Sequence, residues 1–314
     1  MKSRLVVLAA LVAAAIALAS TGFRLTLIPS EPPPVHASLP STSSAYLGVY
    51  EQGAPPAYGP IANFALAAGK QPNMVGYYSG WAEPFASSFA RKARRHGIIP
   101  YVQIDPTYAS VSAIAAGAYD LYLRGYADSV RDFGHAVVIG FGHEMNGNWY
   151  SWGYGHVAPS IFVAAWRHIV TVFRAEGADN VTWLWTINQD RHGTGPVAAW
   201  WPGARYVTWV GIDGYYIHSS DTFAEVFGRT IDQVRAFTRK PVLLSEVGVG
   251  PGTGQFAKIS NLFDGMRQAK ALGLVWFDEN QVGGPYRQNW RIEGDQVAEI
   301  AFRLRAAELT LTHP

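Results

Sequence analysis

The chain has 314 residues, 49% of them hydrophobic, and a formal net charge of +2. That is enough apolar material for a single barrel-sized domain of about 250 residues, and the near balance of charge argues against a polyanionic partner such as nucleic acid. No cysteine is present, which excludes disulfides, thiolate nucleophiles and Cys-ligated metals, while 11 Trp and 16 Tyr favour a flat, uncharged ligand over a phosphate.

In chain order, Lys2 and Arg4 precede the apolar run from Leu5 to Gly22, the layout of an export signal. The run approaches the roughly 20 residues needed to span a bilayer and is bounded by Arg24. Residues 1–23 are therefore expected to act either as a signal peptide, cut after Ala19 or Ala37, or as an uncleaved membrane anchor through residues 5–23. The protein is expected to be secreted or held at the outer face of the cytoplasmic membrane, as a monomer. Residues 24–44, with Pro29, Pro32, Pro33, Pro34 and Pro40, read as a Pro/Ser-rich linker, and a catalytic domain is expected over 45–310.

From Tyr46 onward short β-rich runs alternate with amphipathic stretches. Strands are expected at Tyr46 to Tyr50, Met74 to Tyr78, Ile98 to Ile104, Ala136 to Phe141, Val181 to Ile187, Tyr206 to Ile212, Pro241 to Glu246 and Leu274 to Phe277. Helices are expected at Phe85 to His96, Tyr119 to Phe133, Ile161 to Ala175, Thr222 to Phe237, Phe256 to Leu272 and Asp295 to Ala307, with a short one at Pro196 to Trp201. Gly97, Gly134, Gly177 and Gly273 stand where helices should end. The cationic run Arg91 to His96 fits the solvated face of a helix. Eight βα units over about 260 residues indicate a (β/α)8 TIM barrel, an α/β fold whose functional groups collect at the C-terminal ends of its strands.

Those ends carry Glu51, Trp81, Asp105, Glu144, Asn188, Tyr215, Tyr216, Glu246 and Asp278. Glu144 and Glu246 each stand just past an apolar run, in GFGHEMNGNWYSWG and KPVLLSEVGVG. Two carboxyl groups on one face, surrounded by amides and aromatic rings, suit glycosidic bond cleavage, in which one protonates the leaving oxygen while the other attacks the anomeric carbon or activates water. A hydroxyl from Tyr215 or Tyr216 could keep Glu246 ionised. His143-Glu144 lacks the second His of a zinc protease helix, because that position is Gly147. No G-x-S-x-G elbow is present, and no cofactor or metal is expected. Of Trp183, Trp185, Trp200, Trp201 and Trp209, about one third are expected to touch sugar and the rest to be core.

HEMNGNWYSWG, VGIDGYY, PVLLSEVG, the Trp in VWFDEN and NWRIE together resemble glycoside hydrolase family 26 over Tyr46 to Phe302. The resemblance implies a retaining (β/α)8 hydrolase with Glu144 as acid/base and Glu246 as nucleophile. It further implies His143 at the point of cleavage, Tyr216 (or Tyr215) as hydroxyl partner of the nucleophile, and Trp149 and Trp276 as stacking aromatics. Asn146, Trp81 and Asn188 complete the expected substrate-binding set. Many family members carry an Arg shortly before the His-Glu pair, where this chain has Gly140, Phe141 and Gly142. The expected function is an endo-acting β-glycanase on a polysaccharide or oligosaccharide, with mannan favoured; a mixed-linkage β-glucanase or xylanase of the same family is the alternative. A reading of another class is a weakly catalytic, cell-surface glycan-binding protein that assists polysaccharide export or remodelling.

Overall fold

A computed structural model describes residues 39–55, 57–283 and 286–312. The apolar run at 1–23, both cleavage positions and the linker as far as residue 38 lie outside the described residues. Among the described residues no helix is long and apolar enough to cross a membrane.

Eight parallel strands close on themselves: β1 (Tyr46–Tyr50), β2 (Met74–Gly80), β3 (Ile99–Asp105), β4 (Val137–Phe141), β5 (Val181–Asn188), β6 (Trp209–Tyr216), β7 (Val242–Val249) and β8 (Gly273–Phe277). β8 pairs with β1 in the register Tyr46↔Gly273 to Tyr50↔Phe277. Around them lie α1 (Gly59–Ala68), α2 (Ser87–Arg95), α3 (Val111–Ala115), α4 (Asp120–Phe133), α5 (Pro159–Ala175), α6 (Arg229–Arg235), α7 (Gln255–Gln268) and α8 (Gln296–Ala307). After β8 a two-stranded hairpin, β9 (Asn280–Gln281) with β10 (Gln288–Asn289), leads into α8.

The helical patterning mostly holds, with instructive exceptions. Gly97, Gly134 and Gly177 take left-handed φ values of 71°, 71° and 73°, as helix-ending glycines do. Gly273 does not: it is the first residue of β8, and a Cβ there would stand 1.9 Å from the carbonyl oxygen of Tyr46. The left-handed residue after α7 is Lys270. α1 and α3 fall outside the expected helices; α3, at five residues, is too short to show a period. The stretch from Thr222 to Phe237 is not one helix but a π-helical turn, Ala224–Gly228, running into α6. β6 starts and ends later than its apolar run suggests. Residues 39–44 are not free linker. Leu39 is buried in the lower barrel layer with Tyr46, Val138, Leu184, Trp209 and Leu243, and Tyr46 and Trp209 donate hydrogen bonds to the Pro40 carbonyl and the Ser41 hydroxyl.

Strand alternation sorts side chains between the barrel lumen and the helical layer. The outer layer is a continuous aromatic and aliphatic core that includes Phe141, Phe162, Trp166, Phe173 and Trp276, each burial contributing roughly 2–3 kcal/mol. Between the apolar bottom of the lumen and its open top runs a polar layer. The Gln103 amide donates to the Tyr101 hydroxyl at 2.6 Å and the Thr186 hydroxyl at 2.8 Å, and the Ser245 hydroxyl donates to Asp213 at 2.5 Å. Gly140 and Gly211 make room for it: a Cβ on Gly140 would meet Gln103 Oε1 at 2.0 Å, and one on Gly211 would meet the Ser245 and Thr186 hydroxyls at 2.5 Å.

Candidate active site

The upper end of the lumen opens into a cleft of about 680 Å³, with Glu144 and Glu246 both in its lining. Each is aimed by a departure from regular strand geometry. Beyond β4 the backbone takes left-handed φ values at Gly142 (52°) and at Glu144 itself (53°). For a non-glycine residue this costs on the order of 1–2 kcal/mol, and the turn is held by Glu144 N–H donating to the Thr186 carbonyl at 3.0 Å and by Gly147 N–H donating to the Glu144 carbonyl at 2.8 Å. In β7 the register with β6 passes from Gly211↔Leu243 to Asp213↔Glu246, so two steps on β6 face three on β7. This is a β-bulge. It turns Ser245 and Glu246 inward together, whereas strict alternation would send Glu246 into the helical layer.

The two carboxylates have different partners. Glu144, 6% exposed, accepts from the Trp149 indole N–H at 2.7 Å on Oε2 and from the Asn188 side-chain amide on Oε1. Glu246 is gripped on both oxygens by phenols, Tyr78 donating to Oε2 and Tyr215 to Oε1. Burial pushes the Glu246 carboxyl up to about 8, and the charge of Glu279 adds to the rise. The two hydroxyl donors act in the opposite sense, since a hydrogen bond to a carboxylate favours its ionised form.

His143 is 4% exposed and sits between Asp105, 2.9 Å from Nδ1, and the Tyr150 hydroxyl, 3.2 Å from Nε2. Burial works against its charge, but Asp105 outweighs burial, Glu144 and Asp213 add to the effect, and its pKa rises to about 9. An imidazolium therefore borders the cleft at neutral pH, with both nitrogens acting as donors. Asp213, fully buried beneath it, is driven well above the usual carboxylate range by desolvation and then by Glu144. At the rim, the Arg191 guanidinium lies 4.7 Å from the Trp149 ring and 5.3 Å from the Tyr286 ring, bridging two flat apolar surfaces.

Of the residues expected from sequence, His143, Glu144, Trp149, Tyr215 and Glu246 line the cleft, and Asn188 reaches it through Glu144. Asn146 does not. It is wholly buried, exchanging hydrogen bonds with the Asn188 backbone at 2.8 and 2.9 Å, so it positions Asn188. Trp81 is not in the lining either; its ring packs against Tyr119, Tyr122 and Phe141. Tyr216 and Trp276 are corrected by strand parity: Tyr215 and Phe277 point inward, so their neighbours point out. Tyr216 bonds Asn261, and Trp276, with no exposed surface, donates to the Trp290 carbonyl and abuts Phe302. None of Trp183, Trp185, Trp200, Trp201 and Trp209 lines the cleft; Trp185, Trp200 and Trp209 are fully buried. Tyr150, one of the aromatic rings of the stretch around Glu144, lines the cleft too, and so do Tyr50, Tyr78, Arg191, Glu279, Gln281 and Tyr286, which lie outside the expected set. The parity of Met74, Gly76 and Tyr78 on β2 carried a signal for Tyr78, whereas Arg191 and Tyr286 come from loops with no local mark.

With this geometry in view, the chain can be set beside known proteins. The pattern that defines glycosyl hydrolase family 26 matches residues 111–292. The chain is 29% identical over 268 residues to Endoglucanase H of Acetivibrio thermocellus, covering 80% of this chain and 29% of that protein. It is 24% identical over 177 residues to mannan endo-1,4-beta-mannosidase A and B of Caldalkalibacillus mannanilyticus, covering 54% of this chain and 33% of that protein. The chain thus spans about a third of the length of these curated relatives. Among solved structures, a modular endo-beta-1,4-mannanase from Cellulomonas fimi superposes with a TM-score of 0.65 at 18% identity, covering 86% of this chain and 72% of that one.

Proposed function

The chain belongs to glycosyl hydrolase family 26, and we propose that it is a retaining endo-β-glycanase acting on a mannan-type polysaccharide. One observation carries the reading: two carboxylates share one aromatic-lined cleft, Glu246 held by two phenol hydroxyls and Glu144 by an indole N–H and an amide. Glu144 donates its proton to the glycosidic oxygen as the C–O bond breaks and Glu246 attacks the anomeric carbon, giving a glycosyl ester and a free alcohol. Glu144, now ionised, takes a proton from water. The hydroxide attacks the same carbon, the ester bond breaks, and Glu246 leaves as carboxylate, with two inversions giving net retention. Trp149 at 36% exposure, with Tyr286 and Arg191 across from it, offers a stacking surface for a neighbouring sugar.

Mannan is favoured because names of relatives on both the sequence and the structure side include mannan or mannanase; the name of Endoglucanase H supports a β-glucan as the second substrate. Where many relatives carry an arginine, Gly140 leaves its space to the Gln103 amide. Export, through residues 1–23, and action as a monomer are part of the same proposal. Release of reducing ends from mannan, lichenan, xylan and cellulose tests the substrate: activity greatest on mannan is expected, and no release from any of the four overturns the reading. Glu246→Ala should abolish hydrolysis, and added azide should restore turnover as a glycosyl azide of inverted configuration.

A further inference from the structure

Glu51 and Asp278 follow β1 and β8 directly after the register pair Tyr50↔Phe277. Tyr50 and Phe277 face the cleft, so the next residue on each strand faces away from it. There the two acids meet a third, Glu293, brought over by the segment between β10 and α8. One carboxylate oxygen from each lies within 4.8 Å of the other two. Glu51 is 3% exposed and Asp278 has no exposed surface. Asp278 Oδ1 accepts the Ile292 backbone N–H at 2.9 Å, but among the described residues its buried Oδ2 accepts from no donor, and the same holds for Glu293 Oε2.

Carboxylates this close and this buried cannot all remain ionised unaided, since like charges at such separations repel strongly when they are shielded from bulk water. Arg291, the cation whose charge acts on Glu51, offsets one of the three. The remaining charge must be met by a retained proton or by a bound cation. The site is also accessible: Glu51, Arg291 and Glu293 line a solvent-connected hollow of about 540 Å³, separate from the cleft.

All three donors are hard oxygens, a set that selects calcium or magnesium over zinc or copper. Calcium–oxygen bonds of about 2.3–2.6 Å allow ligand oxygens to lie up to roughly 5 Å apart, whereas magnesium at about 2.1 Å draws them to within roughly 4.2 Å. We propose that Glu51, Asp278 and Glu293 form a calcium site that ties the ends of β1 and β8 to the segment entering α8, with water from the hollow completing the coordination. Phe277, Glu279 and Gln281, which line the cleft, lie on the chain immediately around Asp278, so the ion fixes one wall of the cleft without entering it. The catalytic reading is not required for this site.

The test uses the full chain stripped with EGTA. Terbium added to the unaltered protein should give saturable luminescence excited through the tyrosines and tryptophans, displaced by calcium. Calcium at about 100-fold over its Kd should raise Tm by roughly 5–10 °C. Glu293→Gln, at the half-buried edge of the cluster, and Asp278→Asn should each weaken terbium binding at least about tenfold and remove most of the calcium-dependent rise in Tm. A Tm indifferent to calcium and EGTA, with no saturable terbium signal in the unaltered protein, overturns the proposal in favour of a shared proton. Terbium binding that persists unchanged in a folded Glu293→Gln variant places the ion elsewhere and overturns it equally.

Discussion

Replacing Tyr78 with Phe removes one of the two hydroxyls that hold Glu246 and leaves the ring in place between Tyr50 and His143. A hydrogen bond to a charged group is worth about 1.5–3 kcal/mol net, and a tenfold change in proton affinity corresponds to about 1.4 kcal/mol. Each phenol therefore keeps the carboxyl roughly 10- to 100-fold more acidic than burial and Glu279 alone would leave it. If Glu246 must be ionised to attack, Tyr78→Phe moves the acidic limb of the kcat/KM profile up by roughly one to two pH units. Tyr215→Phe, on the other oxygen, does the same. Glu279→Gln removes a nearby negative charge and shifts that limb the opposite way. The assay is the initial rate on soluble mannan between about pH 4 and pH 9, with Tm recorded for each variant. An acidic limb that stays put in both Tyr variants, with folding intact, refutes the argument that these hydroxyls set the charge of Glu246.

Glu144→Gln should lower hydrolysis of polysaccharide by about 10²- to 10⁴-fold and cost much less on an aryl glycoside whose leaving group needs no proton, which parallel kinetics on the two substrates would reveal. Asp105→Asn probes His143. Its pKa rises from 6.5 unfolded to about 9 folded, so the stability it contributes, about 3 kcal/mol, is fully present below pH 6.5 and lost as pH rises through 9. Urea unfolding should accordingly show the gap between the unaltered protein and the variant widest near about pH 6 and closing toward about pH 9. A gap independent of pH contradicts the ion pair. Gly140→Ala places a methyl 2.0 Å from Gln103 Oε1 and 3.0 Å from the Leu184 carbonyl; a loss of about 1–3 kcal/mol is expected, read as a lower urea midpoint at unchanged slope.

What local pattern could reveal and what it could not divide along physical lines. Apolar runs closed by glycine or a carboxylate located eight strands, and Glu144 and Glu246 stood out because acids seldom end such runs. Inward or outward orientation was harder to read. A one-residue difference decides between Tyr215 and Tyr216 and between Phe277 and Trp276, and at β8 the resemblance points to Trp276 where strand parity puts Phe277 in the lining. The β-bulge that turns Glu246 inward depends on how β7 pairs with β6, information that does not reside in β7 alone. Arg191 meets both Trp149 and Tyr286 only because three loops converge over the barrel mouth. Glu51, Asp278 and Glu293 are likewise joined by barrel closure: β1 and β8 are neighbours only in the folded ring.

The central claim is that Glu246 forms a covalent bond to the sugar while Glu144 serves the proton. Incubating the protein with an activated 2-deoxy-2-fluoro-β-glycoside, whose glycosyl ester turns over slowly, and mapping the digested protein by mass spectrometry tests it directly. The account predicts stoichiometric labelling of the peptide that carries Glu246, with loss of activity in step. Labelling of any other carboxylate, or full labelling of the Glu246→Ala variant, contradicts it.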